Sequence, residues 1–157
     1  MEDRTELVYA GFWIRVWASL IDTVLLLLVL VPLLMAVYGA DYFVAGRGMA
    51  NGILAFLLNW VFPAVAVILF WMYRSATPGK MAIGATIVDA RTGGKPTNAQ
   101  LVGRYLGYFV STIPLGLGLL WVGIDRRKQG WHDKLAGTVV VRHRLPSTPE
   151  PVRFGND

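Results

Sequence analysis

Cysteine is absent from the 157 residues, which excludes disulfide staples and thiolate metal sites and leaves the redox compartment open. Histidine is scarce: His132 and His143 are too few and too far apart to hold a metal without carboxylate help, so no metal and no cofactor is expected. Charge is sparse as well, at 16% of residues, where a soluble domain carries about 25%. The net charge of +5 comes without a nucleic-acid motif or basic–aromatic interleaving outside the apolar segments. Basic loops beside a membrane explain it better than a nucleic-acid partner. A nucleophile beside a base is missing too. Ser19 and Ser111 have no neighbouring histidine, and His132-Asp133 has no nearby serine or cysteine, so the chain is expected not to be an enzyme.

What the chain has in quantity is long apolar runs. From Gly11 to Tyr38 the sequence is almost wholly apolar, and a helix from Ile14 to Tyr38 spans about 37 Å, enough to cross a hydrocarbon core of about 30 Å. The run exceeds the h-region of a signal peptide, and the leader Met1–Leu7 is acidic rather than basic, so it reads as a retained helix. Arg15 and Asp22 interrupt it, although an ionisable group at bilayer depth costs about 2.5–3.5 kcal/mol. Arg15, Ser19 and Asp22 stand at i, i+4 and i+7, which makes one narrow polar face lined by small residues and turned toward other helices. Arg15 can reach the interface along its stem, whereas Asp22 needs a partner inside the bundle, a wet cavity or a proton. Pro32 is placed to kink the outer half of this helix. A glycine-rich loop, Asp41 to Asn51 with Arg47, leads to a second span from about Gly52 to Tyr73, in which Asn59 is expected to bond a neighbouring helix and Pro63 to bend the span.

Beyond Arg74, the Thr77-Pro78-Gly79-Lys80 stretch has the form of a type II turn that would leave Lys80 at the membrane surface. Two β-branched runs, Thr86–Val88 and Thr138–Val141, predict a small two-stranded sheet, and pairing requires both to lie on one side of the membrane. Between them, Thr97 or Asn98 can cap a helix, and Pro114, Gly116 and Gly118 interrupt its apolar continuation. Residues 98–124 are therefore either a broken, re-entrant hairpin or one continuous third span, and the hairpin keeps both basic flanks on the cytoplasmic side. Arg126, Arg127 and Lys128 suit anionic lipid headgroups. Gly130–Gly137 reads as a short turn of helix ended by glycine, and residues 145–157 as a disordered polar tail. The expected fold class is thus an all-α membrane domain over residues 1–144: two transmembrane helices plus a broken hairpin or third span, with a two-stranded cytoplasmic β element.

Three segments, AGFWIRVWASLID (10–22), TPGKMAIGATIVD (77–89) and GWHDKLAGTVVV (130–141), together resemble the RDD family of small bacterial membrane proteins. The resemblance implies that Arg15 is the family's arginine and Asp22 its first aspartate, with Asp133 or else Asp125 as the second. It also implies a bacterial membrane protein that acts in transport, and the basic flanks make it a multi-pass protein of the inner membrane with both termini expected on the cytoplasmic side. On this reading Asp22 carries a proton or monovalent cation, Arg15 or Lys80 competes for it, and Asp133 beside His132 gates it. So small a chain would then work as a homo-oligomer. The alternative is an adaptor or assembly factor in which Arg15, Asp22 and Asp133 form a structural latch.

Overall fold

The computed structural model describes residues 7–44 and 52–143, so the polar leader, most of the Arg47 loop and the tail at 145–157 lie outside the described residues. Elements follow in the order β1 (Leu7–Tyr9), α1 (Phe12–Tyr38), α2 (Asp41–Val44), α3 (Gly52–Phe56), a π-helical turn (Leu57–Val61), α4 (Phe62–Arg74), α5 (Pro78–Ala82), β2 (Ala85–Asp89), α6 (Asn98–Thr112), α7 (Leu117–Ile124), α8 (Trp131–Ala136) and β3 (Thr138–His143).

Among the described residues, two helical stretches, Phe12–Tyr38 and Gly52–Arg74, are long and apolar enough to cross a membrane. Their large side chains face outward: Leu28 is 67% exposed and Ile53 74%, which in water would be an untenable apolar surface. α1 runs through Pro32 as one helix. In the second span the π-helical turn falls just before Pro63. Proline cannot donate to the carbonyl four residues back, and the wider turn accommodates that lost bond. Asn59 does meet a neighbour, donating to the Tyr42 hydroxyl and to the Ala55 carbonyl, both at 2.8 Å.

The sheet departs from the expected pair of strands. It has three antiparallel strands in the order β1-β3-β2, because Leu7–Tyr9 pairs with the other edge of β3 (Leu7 opposite His143, Tyr9 opposite Val141). β3 is central, and its residues Thr138–Val141 are all buried, which accounts for a continuous Val run in place of alternation. Ala10, Trp71, Ala85, Ile87, Leu101 and Val140 form a core where the sheet meets the helices. The chain leaves this sheet into α1, returns to it after α4, leaves again into α6 and returns through α8, so four helix ends gather at one place.

The Pro78-Gly79 turn is a second correction. Thr77 is extended (φ −85°, ψ 163°) and Pro78 opens α5 at its first position, where a missing N–H costs nothing. The left-handed residue that reverses the chain comes earlier, at Ser75 (φ 52°). Of the two possible caps of α6, Thr97 serves: its hydroxyl accepts from Gln100 N at 3.2 Å, and its own N–H donates to Gln100 Oε1 at 2.8 Å. α6 and α7 bend by 101° at a break where Leu115 and Gly116 both adopt positive φ, so residues 98–124 are not one straight span.

Candidate functional site

Asp133 sits in the first turn of α8, fully buried, with its Oδ2 accepting from Gly130 N at 3.1 Å. Two arginines from different helices reach it. Arg15 of α1 donates to Oδ2 at 2.5 Å, and Arg104 of α6 donates to Oδ1. Arg15 also donates to the carbonyls of Ala10 (3.0 Å) and Lys128 (2.5 Å), which ties α1 to the loop before α8. Arg104 is 0% exposed and further donates to Thr138 Oγ1 at 2.9 Å, while its guanidinium lies 5.3 Å from the Trp71 ring centre and 5.9 Å from that of Tyr108. Burial would push the Asp133 carboxyl up, but Arg104 and Arg15 outweigh it and hold the group well below the usual carboxylate range.

His132 stacks on Tyr108 with ring centres 4.0 Å apart. Ser111, expected to lack a neighbouring histidine, meets it across the fold: the His132 backbone N–H donates to Ser111 Oγ at 2.9 Å and the ring Nδ1 lies 3.3 Å from the same oxygen. Its Nε2 lies 3.6 Å from Asp133, yet this is not an ion pair. Burial dominates, pulling the imidazole down to about 3, so the ring is neutral at physiological pH despite the carboxylate beside it. The close fit of α8 on α6 depends on Gly107, where an added Cβ would lie 2.9 Å from His132 Cα.

Asp22 has different partners. Its Oδ2 accepts from Thr77 Oγ1 at 2.5 Å and its Oδ1 from Gly79 N at 2.6 Å, so the carboxylate covers the start of α5. The expected three-way latch of Arg15, Asp22 and Asp133 is therefore two separate arrangements. Arg15 is drawn to Asp133, and Asp22, two turns further along α1, meets Thr77 and Gly79 instead. Lys80 is 6% exposed; its Nζ approaches Thr77 Oγ1 at 3.4 Å and forms no ion pair with a described residue. Burial lowers the Lys80 pKa, with Arg104 and Arg15 pulling the same way. Ser19 stays exposed on α1, and its carbonyl accepts from Thr23 Oγ1 at 2.8 Å.

Asp125 stands apart, paired with Lys134 at 2.5 Å and accepting from the N–H groups of Arg127 and Gln129, which fold the loop before α8. Burial opposes its ionisation, but the Lys134 ammonium and those N–H groups lower its pKa. Of the basic cluster, Arg126 is exposed, Arg127 donates to the Ala90 carbonyl at 3.3 Å, and Lys128 Nζ donates to the Gly123 carbonyl at 3.1 Å.

Arg104, Tyr108, Thr77 and Trp71 belong to the site and were not singled out from the sequence. One signal was present for the first two: Arg104, Gly107, Tyr108 and Ser111 recur at i, i+3, i+4 and i+7, a polar and small-residue face on an otherwise apolar helix. Two cavities flank α1 at this level. One of about 350 Å³ lies against α4 and has Asp22 and Thr77 in its wall. The other, of about 450 Å³, is bounded by α1 and α7 and has Arg15, Ser19, Lys80, Tyr108 and His132 among its lining residues.

The fold and the site define a small helical membrane protein in which a sheet gathers the helix ends around a buried aspartate held by two arginines. Residues 9–137 match the RDD family, and the chain belongs to that family. Among its relatives is RP437, an uncharacterized protein of Rickettsia prowazekii (strain Madrid E), 26% identical over 88% of this chain and 99% of its own length. The uncharacterized membrane protein YteJ of Bacillus subtilis (strain 168) is 28% identical over 87% of this chain and 83% of its own. YxaI of the same organism, also uncharacterized, is 30% identical over 84% of this chain and 96% of its own. No solved structure matches.

Proposed function

We propose that this RDD protein acts in transport across the bacterial inner membrane, with Asp22 taking up a proton or monovalent cation whose movement is coupled to that of a ligand. The observation that carries this reading is the position of Asp22: a carboxylate within a membrane span, in the wall of a cavity of about 350 Å³, with hydrogen-bond donors but no cationic side chain paired to it among the described residues. A carboxylate already paired with an arginine or lysine has its charge answered, whereas Asp22 accepts only from the neutral donors Thr77 and Gly79. Thr77 Oγ1 stands between Asp22 (2.5 Å) and Lys80 (3.4 Å), and a hydroxyl that both donates and accepts is suited to pass a proton from one to the other. Asp22 and Lys80 line different cavities, so such a relay joins the two sides of α1. Arg15 and Asp133 close the sheet-side end as the gate. The sheet and both termini are cytoplasmic, the bent α6–α7 pair is a re-entrant hairpin, Arg126–Lys128 lie against anionic headgroups, and the working unit is a homo-oligomer.

A second reading, a membrane adaptor with no transport, draws support from the Arg15–Asp133–Arg104 network, which joins α1, α6 and α8 as a latch would. Reconstituted vesicles separate the two. With a pH-sensitive dye inside, a sodium or potassium gradient is expected to drive proton movement in the wild type. Asp22→Asn should reduce it at least tenfold and Thr77→Val should slow it, while the Asp22→Asn protein in detergent keeps a melting temperature close to wild type. Absence of cation-linked flux at every pH tested, in a protein that Asp133→Asn destabilises markedly and Asp22→Asn does not, would establish the adaptor instead.

A further inference from the structure

The cavity of about 450 Å³ beside α1 holds more positive charge than its surroundings answer. Lys80, 6% exposed, lines it and has no anionic partner among the described residues; its single polar contact is a hydroxyl at 3.4 Å. Arg15 lines the same space, and its three hydrogen bonds leave N–H groups to spare on the guanidinium. The nearby carboxylates are already engaged: Asp133 with two arginines and Gly130, Asp22 with Thr77 and Gly79. A buried ammonium left without a counter-charge is costly, and an anion entering the cavity removes that cost. Much of the remaining wall is apolar, supplied by Val16 and Leu20 of α1 and Leu119 and Leu120 of α7. Cationic side chains beside hydrocarbon walls match a molecule that carries both an anionic group and apolar chains.

We infer that this cavity binds a phosphate oxyanion between Lys80 and Arg15, either as the headgroup phosphate of an anionic lipid whose chains lie along α1 and α7 or as free phosphate. The inference rests on the transport reading only in giving the coupled ligand a chemical class and a place in the second cavity, and binding can be measured without any flux, so the two stand or fall separately.

The test uses the full chain purified in a neutral detergent, with three probes: inorganic phosphate, a short-chain phosphatidylglycerol, and a phosphatidylcholine of the same chain length. Affinity is read from intrinsic tryptophan fluorescence and from the shift in melting temperature. Phosphatidylglycerol is expected to bind at least tenfold more tightly than phosphatidylcholine, with Lys80→Gln abolishing the difference; this identifies the lipid as the source. Saturable phosphate binding lost in Lys80→Gln, with no preference between the lipids, supports the same site with the free ion as its ligand. Leu119→Trp, which fills the apolar part and leaves the charges intact, guards against a Lys80 variant that fails to fold. It should weaken phosphatidylglycerol at least tenfold and phosphate little. Equal binding of both lipids with no phosphate binding overturns the inference, as does phosphatidylglycerol binding that survives both substitutions, which would assign it to another basic surface such as Arg126–Lys128.

Discussion

At the scale of single residues, His132 shows how burial can outweigh charge. It is packed face to face on Tyr108 and lies 3.6 Å from a carboxylate, which ordinarily favours a charged imidazole. Desolvation nevertheless dominates, and two arginines and a lysine within range reinforce it, so the folded-state value falls to about 3 from the ordinary 6.5. The sign of the consequence follows. Between those values the unfolded chain binds a proton that the folded one refuses, so the stability due to the neutral ring is fully present above pH 6.5 and is lost as pH falls toward 3. Denaturant unfolding in detergent should therefore show stability dropping from pH 6.5 to 5, with a limiting slope of about 1.4 kcal/mol per pH unit for one proton. His132→Asn should flatten that segment of the profile while lowering stability at pH 7.5. An unchanged slope in the variant would mean that the ring titrates normally. Asp133 contributes in the same direction at lower pH, because its value is held down by Arg104 and Arg15 against the pull of burial.

At the scale of elements, the contact that decides the local fold is that of α5 on α1. A Cβ on Gly79 would overlap the Ala18 carbonyl oxygen and lie 2.8 Å from Asp22 Cγ, so α5 approaches α1 only because position 79 is bare. Gly79→Ala should force the helices apart, at about 1–3 kcal/mol for the overpacking alone, and weaken the Asp22 hydrogen bond made by the backbone of Gly79. Gly123→Ala in α7 is the control, since a Cβ at position 123 would meet nothing within 4 Å and alanine favours a helix by about 1 kcal/mol. Melting temperatures in one detergent should separate the two clearly, and equal values would mean that the α1–α5 contact carries little of the stability. Which elements can be read from the amino-acid order follows from the same contrast. α1 and the second span announce themselves because a run of apolar residues longer than a bilayer is thick has few other uses. Thr97 with Gln100 is a local signal and needs no tertiary contact to be recognised. α5 is not legible, since Pro-Gly suits a type II turn equally well and it is the carboxylate of Asp22, more than fifty residues earlier, that rewards the helix. β1 is three residues long, too short for any periodicity, and exists because β3 offers it an edge. Arg104 finds its partner 29 residues further on, across the α6–α7 break, and no spacing rule connects them.

At the scale of the molecule, the sheet decides what the helices can do. β2 and β1 occupy opposite edges of β3, so the segments leading into α1, out of α4, into α6 and out of α8 are bound to one another before any lipid is considered. A helix that leaves this sheet must be answered by one that returns, and α1 and the Gly52–Arg74 stretch, both long and apolar enough to cross a membrane, form such a pair. The 101° bend between α6 and α7 lets the second excursion come back to the same sheet within a few tens of residues. Side-specific labelling checks this directly, and the lack of native cysteine makes every introduced thiol a clean reporter. Lys95→Cys, in the exposed turn after β2, and His143→Cys, at the exposed end of β3, should both react with a membrane-impermeant maleimide only after permeabilisation of intact cells, as a cytoplasmic sheet requires. Phe43→Cys, exposed in α2 just beyond the far end of α1, should react without it. Reaction of all three from one side would remove the crossing by α1. Reaction of Lys95→Cys and His143→Cys from opposite sides would break the β2–β3 pairing itself, on which the meeting of Arg15 and Arg104 at Asp133 depends.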